Sequence, residues 1–210
     1  FPYARLVEEN RRRGKQDLEY ELIDTGVFDD DRYFDVFIEY AKAGTDDILI
    51  KIDAINRGPE PAPLHLLPTV WFRNTWSWGL DERRPRMRRD DAAEIATIKL
   101  SHYYYGDRWL YCEGAPKLLF SENETNDRRL YGAEIESPYV KDGINDYVIH
   151  NTKDAVNPAN SGTKASAHYV QMVAPGATFT VRLRLSDAAP GNGAALDGGF
   201  DKTFLQRKTE

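Results

Sequence analysis

Tyr33-Phe34-Asp35-Val36-Phe37-Ile38-Glu39-Tyr40 and Ile48-Leu49-Ile50-Lys51-Ile52-Asp53-Ala54-Ile55 decide the fold class. In the first, Phe34, Val36, Ile38 and Tyr40 alternate with Asp35, Phe37 and Glu39. In the second, Ile48, Ile50, Ile52 and Ala54 alternate with Leu49, Lys51, Asp53 and Ile55. A period of two puts successive side chains on opposite faces of a pleated strand. Each run therefore packs one face and turns the other to water or to a second layer. Ala43-Gly44-Thr45-Asp46-Asp47 joins them as a hairpin connection. Asn56-Arg57-Gly58-Pro59 ends the second run, because proline has no N–H for the ladder.

The same signal recurs toward the C-terminal end. Tyr169 to Val173, the turn Ala174-Pro175-Gly176-Ala177, and Thr178 to Leu185 form a predicted hairpin, with Phe179, Val181, Leu183 and Leu185 on one face. A strand is expected at 20–23, before the first hairpin, and between the two hairpins strands are expected at 64–71, 95–105, 109–113 and 117–120, with an extended stretch at 60–63. Residues 81–91 are dense in charge and are expected to be a loop. A short helix is expected at the start, where Tyr3, Leu6 and Val7 share a face, Arg11 to Arg13 favour the negative helix end, and Gly14 caps it. Residues 121–168 lack periodicity and are polar throughout, which points to a long functional loop. The fold class is all-β, a mainly antiparallel sandwich of the super-β-sandwich type with long irregular loops and short terminal helices. Residues 1–187 form the sandwich. The Gly- and Ala-rich stretch 188–199 is a linker, and a helix opens at 204–210.

The chain has 210 residues, enough to bury a core without disulfides or metals. Its net charge of −6 opposes nucleic acid and anionic lipid as partners. The single cysteine, Cys112, forms no internal disulfide and fits a cytoplasmic setting. No apolar run is long enough to span a membrane as a helix. The chain opens Phe1-Pro2-Tyr3 with no initiator Met, as expected of an internal piece of a longer polypeptide.

Three segments carry candidate chemistry. The densest is Trp71-Phe72-Arg73-Asn74-Thr75-Trp76-Ser77-Trp78-Gly79. Indole faces stack on sugar C–H faces, and Arg73 and Asn74 reach hydroxyls; Trp76 and Trp78 share a face if the segment is extended. The same rings serve equally as core or interface. The second segment, Ser121-Glu122-Asn123-Glu124-Thr125-Asn126-Asp127, contains closely spaced carboxylates, the reagents of glycoside hydrolysis, although an acidic solvated loop has the same composition. The third, from Pro138 through Lys141 and Asp142 to Tyr147 and on to Lys164, offers polar groups to a ligand or a partner domain. Substrate-binding candidates are thus Arg73, Asn74, Trp76, Trp78, Glu122, Asn123, Lys141 and Asp142. His65, His102, His150 and His168 have no metal-ligand spacing, and no metal or cofactor is expected. Arg83, Arg84, Arg86, Arg88 and Arg89 form a basic cluster, expected to be a solvated loop or a source of internal ion pairs rather than a nucleic-acid surface.

The segments FDDDRYFDVFIEYAKA, NRGPEPAPLHLLPTVWFRNTWSWG, SENETN, SPYVKDGINDYV and NPANSGTKASAHY resemble large bacterial glucosidase-like proteins. These are similar to the processing α-glucosidases (mannosyl-oligosaccharide glucosidases) of glycoside hydrolase family 63. The resemblance extends over nearly the whole chain. It implies an N-terminal β-sandwich followed by an (α/α)6 barrel that holds the catalytic carboxylates and the sugar pocket. Only the sandwich is matched here, so the resemblance assigns no catalytic residue to this chain. Its implied partners are the C-terminal (α/α)6 domain of the same polypeptide and an oligosaccharide or glucoside substrate, with self-association of the isolated sandwich as a further expectation. Three other readings compete. One is a stand-alone carbohydrate-binding module using Trp76, Trp78 and the aromatic run Tyr103 to Tyr105; the second is a self-sufficient hydrolase using Glu122, Glu124 or Asp127; the third is an interaction or adhesion sandwich that binds protein rather than sugar.

Overall fold

A computed structural model describes residues 2–191, 196 and 199–210. It is an antiparallel β-sandwich of two sheets. Helix α1 (Tyr3–Arg12) leads through two 3-10 turns into strands β1 (Phe34–Gly44), β2 (Asp47–Asn56), β3 (Ala62–Leu66) and β4 (Thr69–Trp71). Then come β5 (Arg86–Arg89), β6 (Thr97–His102), β7 (Gly106–Cys112) and β8 (Lys117–Ser121). Helices α2 (Asp127–Tyr131) and α3 (Gly143–Ile149) precede β9 (Ser161–Gly162), β10 (Lys164–Val173), β11 (Thr178–Ser186) and α4 (Gly199–Thr209).

The large sheet has seven strands in the order β1-β2-β11-β7-β6-β5-β9. The small sheet is organised by β10. Its Lys164–His168 half pairs with β8, its Lys164–Ser166 segment with β4, and its Tyr169–Val173 half with β3. The inner faces meet in one core. Ile52, Val181, Leu183, Leu110, Cys112, Ile98, Leu100 and Met87 come from the large sheet; Phe120, Leu118, Ala165, Ala167 and Tyr169 come from the small one. Burial of these side chains is the main driving force of the fold. The large sheet is the broader layer. On its edge strand β1, the inner-face residues Val36, Ile38 and Tyr40 pair with Ala54, Ile52 and Ile50 of β2 yet stay exposed.

Two helices cover the outer faces. Phe200 and Phe204 of α4 bury against Ala41 and Leu49 of the large sheet, and Lys208–Glu39 and Arg182–Asp201 ion pairs flank them. Ile144, Tyr147 and Val148 of α3 pack on Leu119 of the small sheet.

The expected hairpin at 33–55 forms, and its alternation matches the observed register. The hairpin expected at 169–185 does not form: both strands are present, but β10 pairs with β3, β4 and β8 of the small sheet and β11 with β2 and β7 of the large one, so the 174–177 turn carries the chain from one layer to the other. Several expectations are corrected. Residues 20–23 make no strand: Asp24 Oδ2 accepts the Glu21 N–H at 2.8 Å, capping a 3-10 turn at Leu22–Thr25. Helix α1 ends at Arg13 in extended conformation, before Gly14, and none of its residues is buried. Leu67-Pro68 divides the 64–71 run into β3 and β4. The 95–105 run is a strand only over Thr97–His102, and Tyr103–Tyr105 form the turn that follows. The charged stretch 81–91 contains β5, held by its single inward residue, Met87, which is fully buried between β6 and β9. The polar stretch 121–168 is interrupted by α2, α3 and β9, and β10 begins at Lys164, five residues before the expected strand at Tyr169. The terminal helix starts at Gly199 and packs back on the sandwich. Of the linker at 188–199, residues 192–195, 197 and 198 lie outside the described residues.

Candidate functional site

After β4 the chain leaves the small sheet and folds back on itself. Asn74 sets this turn: its Oδ1 accepts the Ser77 N–H at 3.2 Å and its Nδ2 donates to Ser77 Oγ at 2.6 Å. The N–H groups of Gly79 and Leu80 bond the carbonyls of Trp76 and Thr75, and Gly79 adopts a φ of 68° that suits glycine. Trp76 and Trp78 therefore sit in a turn and not on one face of an extended strand. Trp76 is half-buried, while Trp78 is 68% exposed.

Trp76 is fixed from two sides. Its indole N–H donates to Glu124 Oε1 at 2.6 Å, and the Arg84 guanidinium lies 5.5 Å from its ring centre. Arg84 Nη2 also bonds both acidic residues of the second segment, Glu122 Oε2 at 2.9 Å and Glu124 Oε1 at 2.8 Å. Burial disfavours the Arg84 charge, but the bond to Glu122 and the fields of Glu122, Glu124 and Glu136 outweigh it and raise its pKa. Thr163 Oγ1 donates to Glu122 Oε2 at 2.7 Å and accepts the Asn123 N–H at 2.8 Å. Asn123 Nδ2 reaches the Phe72 carbonyl at 2.9 Å, which ties the second segment to the first.

The third segment closes the arrangement. Glu122 N–H bonds the Tyr139 carbonyl and Lys141 N–H bonds the Glu124 carbonyl. Lys141 Nζ contacts Thr125 Oγ1 at 3.2 Å, and Lys164 donates to the Lys141 carbonyl at 2.7 Å. Asp142 accepts from Asn126 at 3.0 Å and pairs with Arg129 at 2.7 Å; Arg129 also reaches Asp146. The structure thus brings Trp76, Glu122 and Glu124 onto Arg84, ties Asn123 and Lys141 into the same loops through Thr163, Phe72 and the Glu124 carbonyl, and places Asp142 in an adjoining cluster. Asn74 serves its own turn. Arg73 is exposed and outside both clusters.

Beside this clip lies an aromatic surface that no periodicity announced. Asp81 accepts from Tyr103 Oη at 2.6 Å and pairs with Arg83 at 3.0 Å; Arg83 donates to Tyr104 Oη at 3.1 Å and lies 4.1 Å from the Tyr103 ring centre. The bonds from Arg83 and then Tyr103 hold the Asp81 carboxyl far below the usual carboxylate range. His102 stacks on Tyr103 with centroids 4.2 Å apart, and burial followed by the Arg83 charge lowers its pKa, with Asp81 opposing. Trp78, Tyr104 and Tyr105 remain largely exposed around these fixed groups. A cavity of about 260 Å³ opens next to them between the sheets, walled by Ile48, Phe72, Leu100, His102 and Tyr105.

Fold and site define the chain as an antiparallel β-sandwich with a locked ionic clip and an adjacent exposed aromatic surface. No family model matches it. In sequence it is similar to the "Uncharacterized protein YMR196W" of Saccharomyces cerevisiae, 32% identical over 252 aligned positions that take in all of this chain and 23% of the yeast protein. The chain thus spans about a quarter of that relative's length. Among solved structures it is similar to the polysaccharide lyase BACCELL_00875, with a TM-score of 0.44 and 11% identity, over 73% of this chain and 20% of that one. Among the described residues no helix is long and apolar enough to cross a membrane, and no group of three or more His, Cys, Asp or Glu side chains is placed to hold a metal ion.

Proposed function

We propose that this chain is the non-catalytic sandwich of a larger sugar-cleaving protein, and that its 72–85, 103–105 and 121–127 segments line a saccharide cleft beside an (α/α)6 catalytic domain of the same polypeptide. The observation that carries this reading is Arg84 wedged between Glu122 and Glu124, both bound to one guanidinium nitrogen. A hydrolytic pair must flank the scissile bond, at about 5 Å for retention or about 6.5–9.5 Å for inversion, with the substrate between the two carboxyl groups. Here an arginine fills that space. The carboxylates hold loops together, and the chemistry belongs elsewhere in the polypeptide. The exposed rings of Trp78, Tyr104 and Tyr105 offer the apolar faces that sugar rings stack on, and Arg83 and Asp81 hold the turn beneath them. The resemblance to family 63 glucosidases supplies the substrate class, an oligosaccharide or glucoside, and a cytoplasmic setting accords with the lone thiol.

The test is hydrolysis of a panel of α-glucosides by this chain beside the full-length protein. Turnover by the full-length protein alone, with a raised KM in its Trp78→Ala and Tyr104→Ala variants, supports the reading. Turnover by the chain itself overturns it. The exposure of Trp78 favours one second reading, a binding module that holds saccharide unaided. Saccharide binding by the isolated chain that disappears in Trp78→Ala selects that reading instead.

A further inference from the structure

We propose that His65, Lys117, Lys153 and His168 form a binding site for a phosphate group on the outer face of the small sheet. Four elements converge there. His65 comes from β3, Lys117 opens β8, His168 lies on β10, and Lys153 belongs to the 3-10 turn Lys153–Ala155. Tyr147 of α3 is the floor. Lys117 Nζ donates to its hydroxyl at 2.6 Å and sits 4.8 Å from its ring centre, while Lys153 Nζ lies 3.9 Å from the same centre. His65 Nδ1 and His168 Nε2 are 2.9 Å apart with their rings stacked, and the His168 ring meets Tyr147 edge-on.

Two ammonium groups on one ring are a concentration of positive charge on a chain whose net charge is −6, and the two imidazoles beside them, hydrogen-bonded to each other, add N–H donors. Among the described residues no ion pair engages any of the four. The charged neighbours that act on His168 are His65, Lys153 and Lys117, all of one sign. Like charges held this close repel unless a counter-charge joins them. A phosphate dianion matches two fixed ammoniums in charge and accepts several N–H bonds at once. A cavity of about 450 Å³ adjoins the cluster at His168, the one member of the four that lines it, and continues past Tyr169, Gln171 and Phe179 to Glu113.

The experiment is a titration of the 210-residue chain at fixed ionic strength, following the imidazole C–H signals of His65 and His168 by NMR. Inorganic phosphate, glucose 6-phosphate and sodium chloride are the three probes. Saturable phosphate shifts absent with chloride are expected, weakened by at least about tenfold in Lys117→Gln/Lys153→Gln. Lys153→Gln alone, at an exposed position, keeps the fold and weakens binding several-fold. Tighter binding of glucose 6-phosphate than of phosphate assigns the site to an organic phosphate, and equal binding assigns it to the free ion. Equal shifts with chloride, or unchanged affinity in the lysine variants, overturn the proposal.

Discussion

The indole N–H of Trp76 lies 2.6 Å from Glu124 Oε1, a bond between residues 48 positions apart that fastens the Trp-rich turn to the acidic loop. Arg84 completes the junction by bonding the same carboxylate oxygen and its neighbour Glu122. Trp76→Phe removes only the donor and is expected to cost about 1 kcal/mol. Arg84→Met leaves two adjacent carboxylates without their cation. It is expected to cost about 2 kcal/mol, less than a fully buried charge would, because Arg84 is partly open to water. Urea unfolding of both variants measures the order; equal midpoints for Arg84→Met and the parent would show that the clip contributes nothing.

Gly162 faces the backbone of β8. A Cβ there would sit 2.3 Å from the Ser121 carbonyl oxygen and 2.9 Å from its carbon. Neither atom belongs to a flexible side chain, so the strand must move. Gly162→Ala is expected to destabilise by about 3 kcal/mol and to free β9 from β5. Thermal unfolding gives the size, and amide exchange at Met87 and Arg88 reports the loss of pairing.

Two imidazoles set a pH dependence. His168 is pushed below its ordinary value by burial, then by His65, Lys153 and Lys117; His102 is pushed below by burial, then by Arg83, with Asp81 opposing. The unfolded imidazoles therefore take up protons first, at about pH 6.5. Between that value and the lower folded pKa values the unfolded state binds more protons, so stability rises with pH and is lost as pH falls. Urea midpoints in phosphate-free buffer should decline from about pH 7.5 to about pH 5.5, and His168→Gln should flatten part of that slope. A parent slope of opposite sign would contradict the assignment.

Helix α4 is held by two rings, Phe200 and Phe204, on Ala41 and Leu49. Removing both rings takes away most of its apolar contact but none of the inter-sheet core. Phe200→Ala/Phe204→Ala is expected to release the helix while β2 and β11 keep their protection. Amide exchange checks this: fast exchange confined to 199–209 supports it, and exchange spreading into β2 would show that the helix stabilises the sheet.

Strands with one apolar face and one polar face were legible because their period is a local property of the chain. β1, β2 and β11 belong to this kind. β5 was hidden because three of its four residues are arginines and only Met87 points inward. The first half of β10 was hidden for the opposite reason: Ala165, Ser166 and Ala167 are all buried and too small to mark a period. At the site, the residue types near 76 and 122–124 were legible. Their meeting at Arg84 depends on loops that return from distant strands, and no spacing encodes that return. The Tyr103–Tyr105 surface drew notice only as an aromatic run, since its partners Asp81 and Arg83 lie in a stretch that looks merely solvated.

Cys112 lies at the seam of the two sheets, fully buried, with burial alone pushing its thiol up to about 12. It faces Leu183 across the β7–β11 ladder. A thiol reagent reaches the sulfur only when the layers part, and the thiolate that reacts forms only then. Alkylation of this one atom therefore works as a clock for the opening of the whole sandwich. In reagent excess its rate reports how often the layers separate, and at low reagent it reports the fraction of time they spend apart.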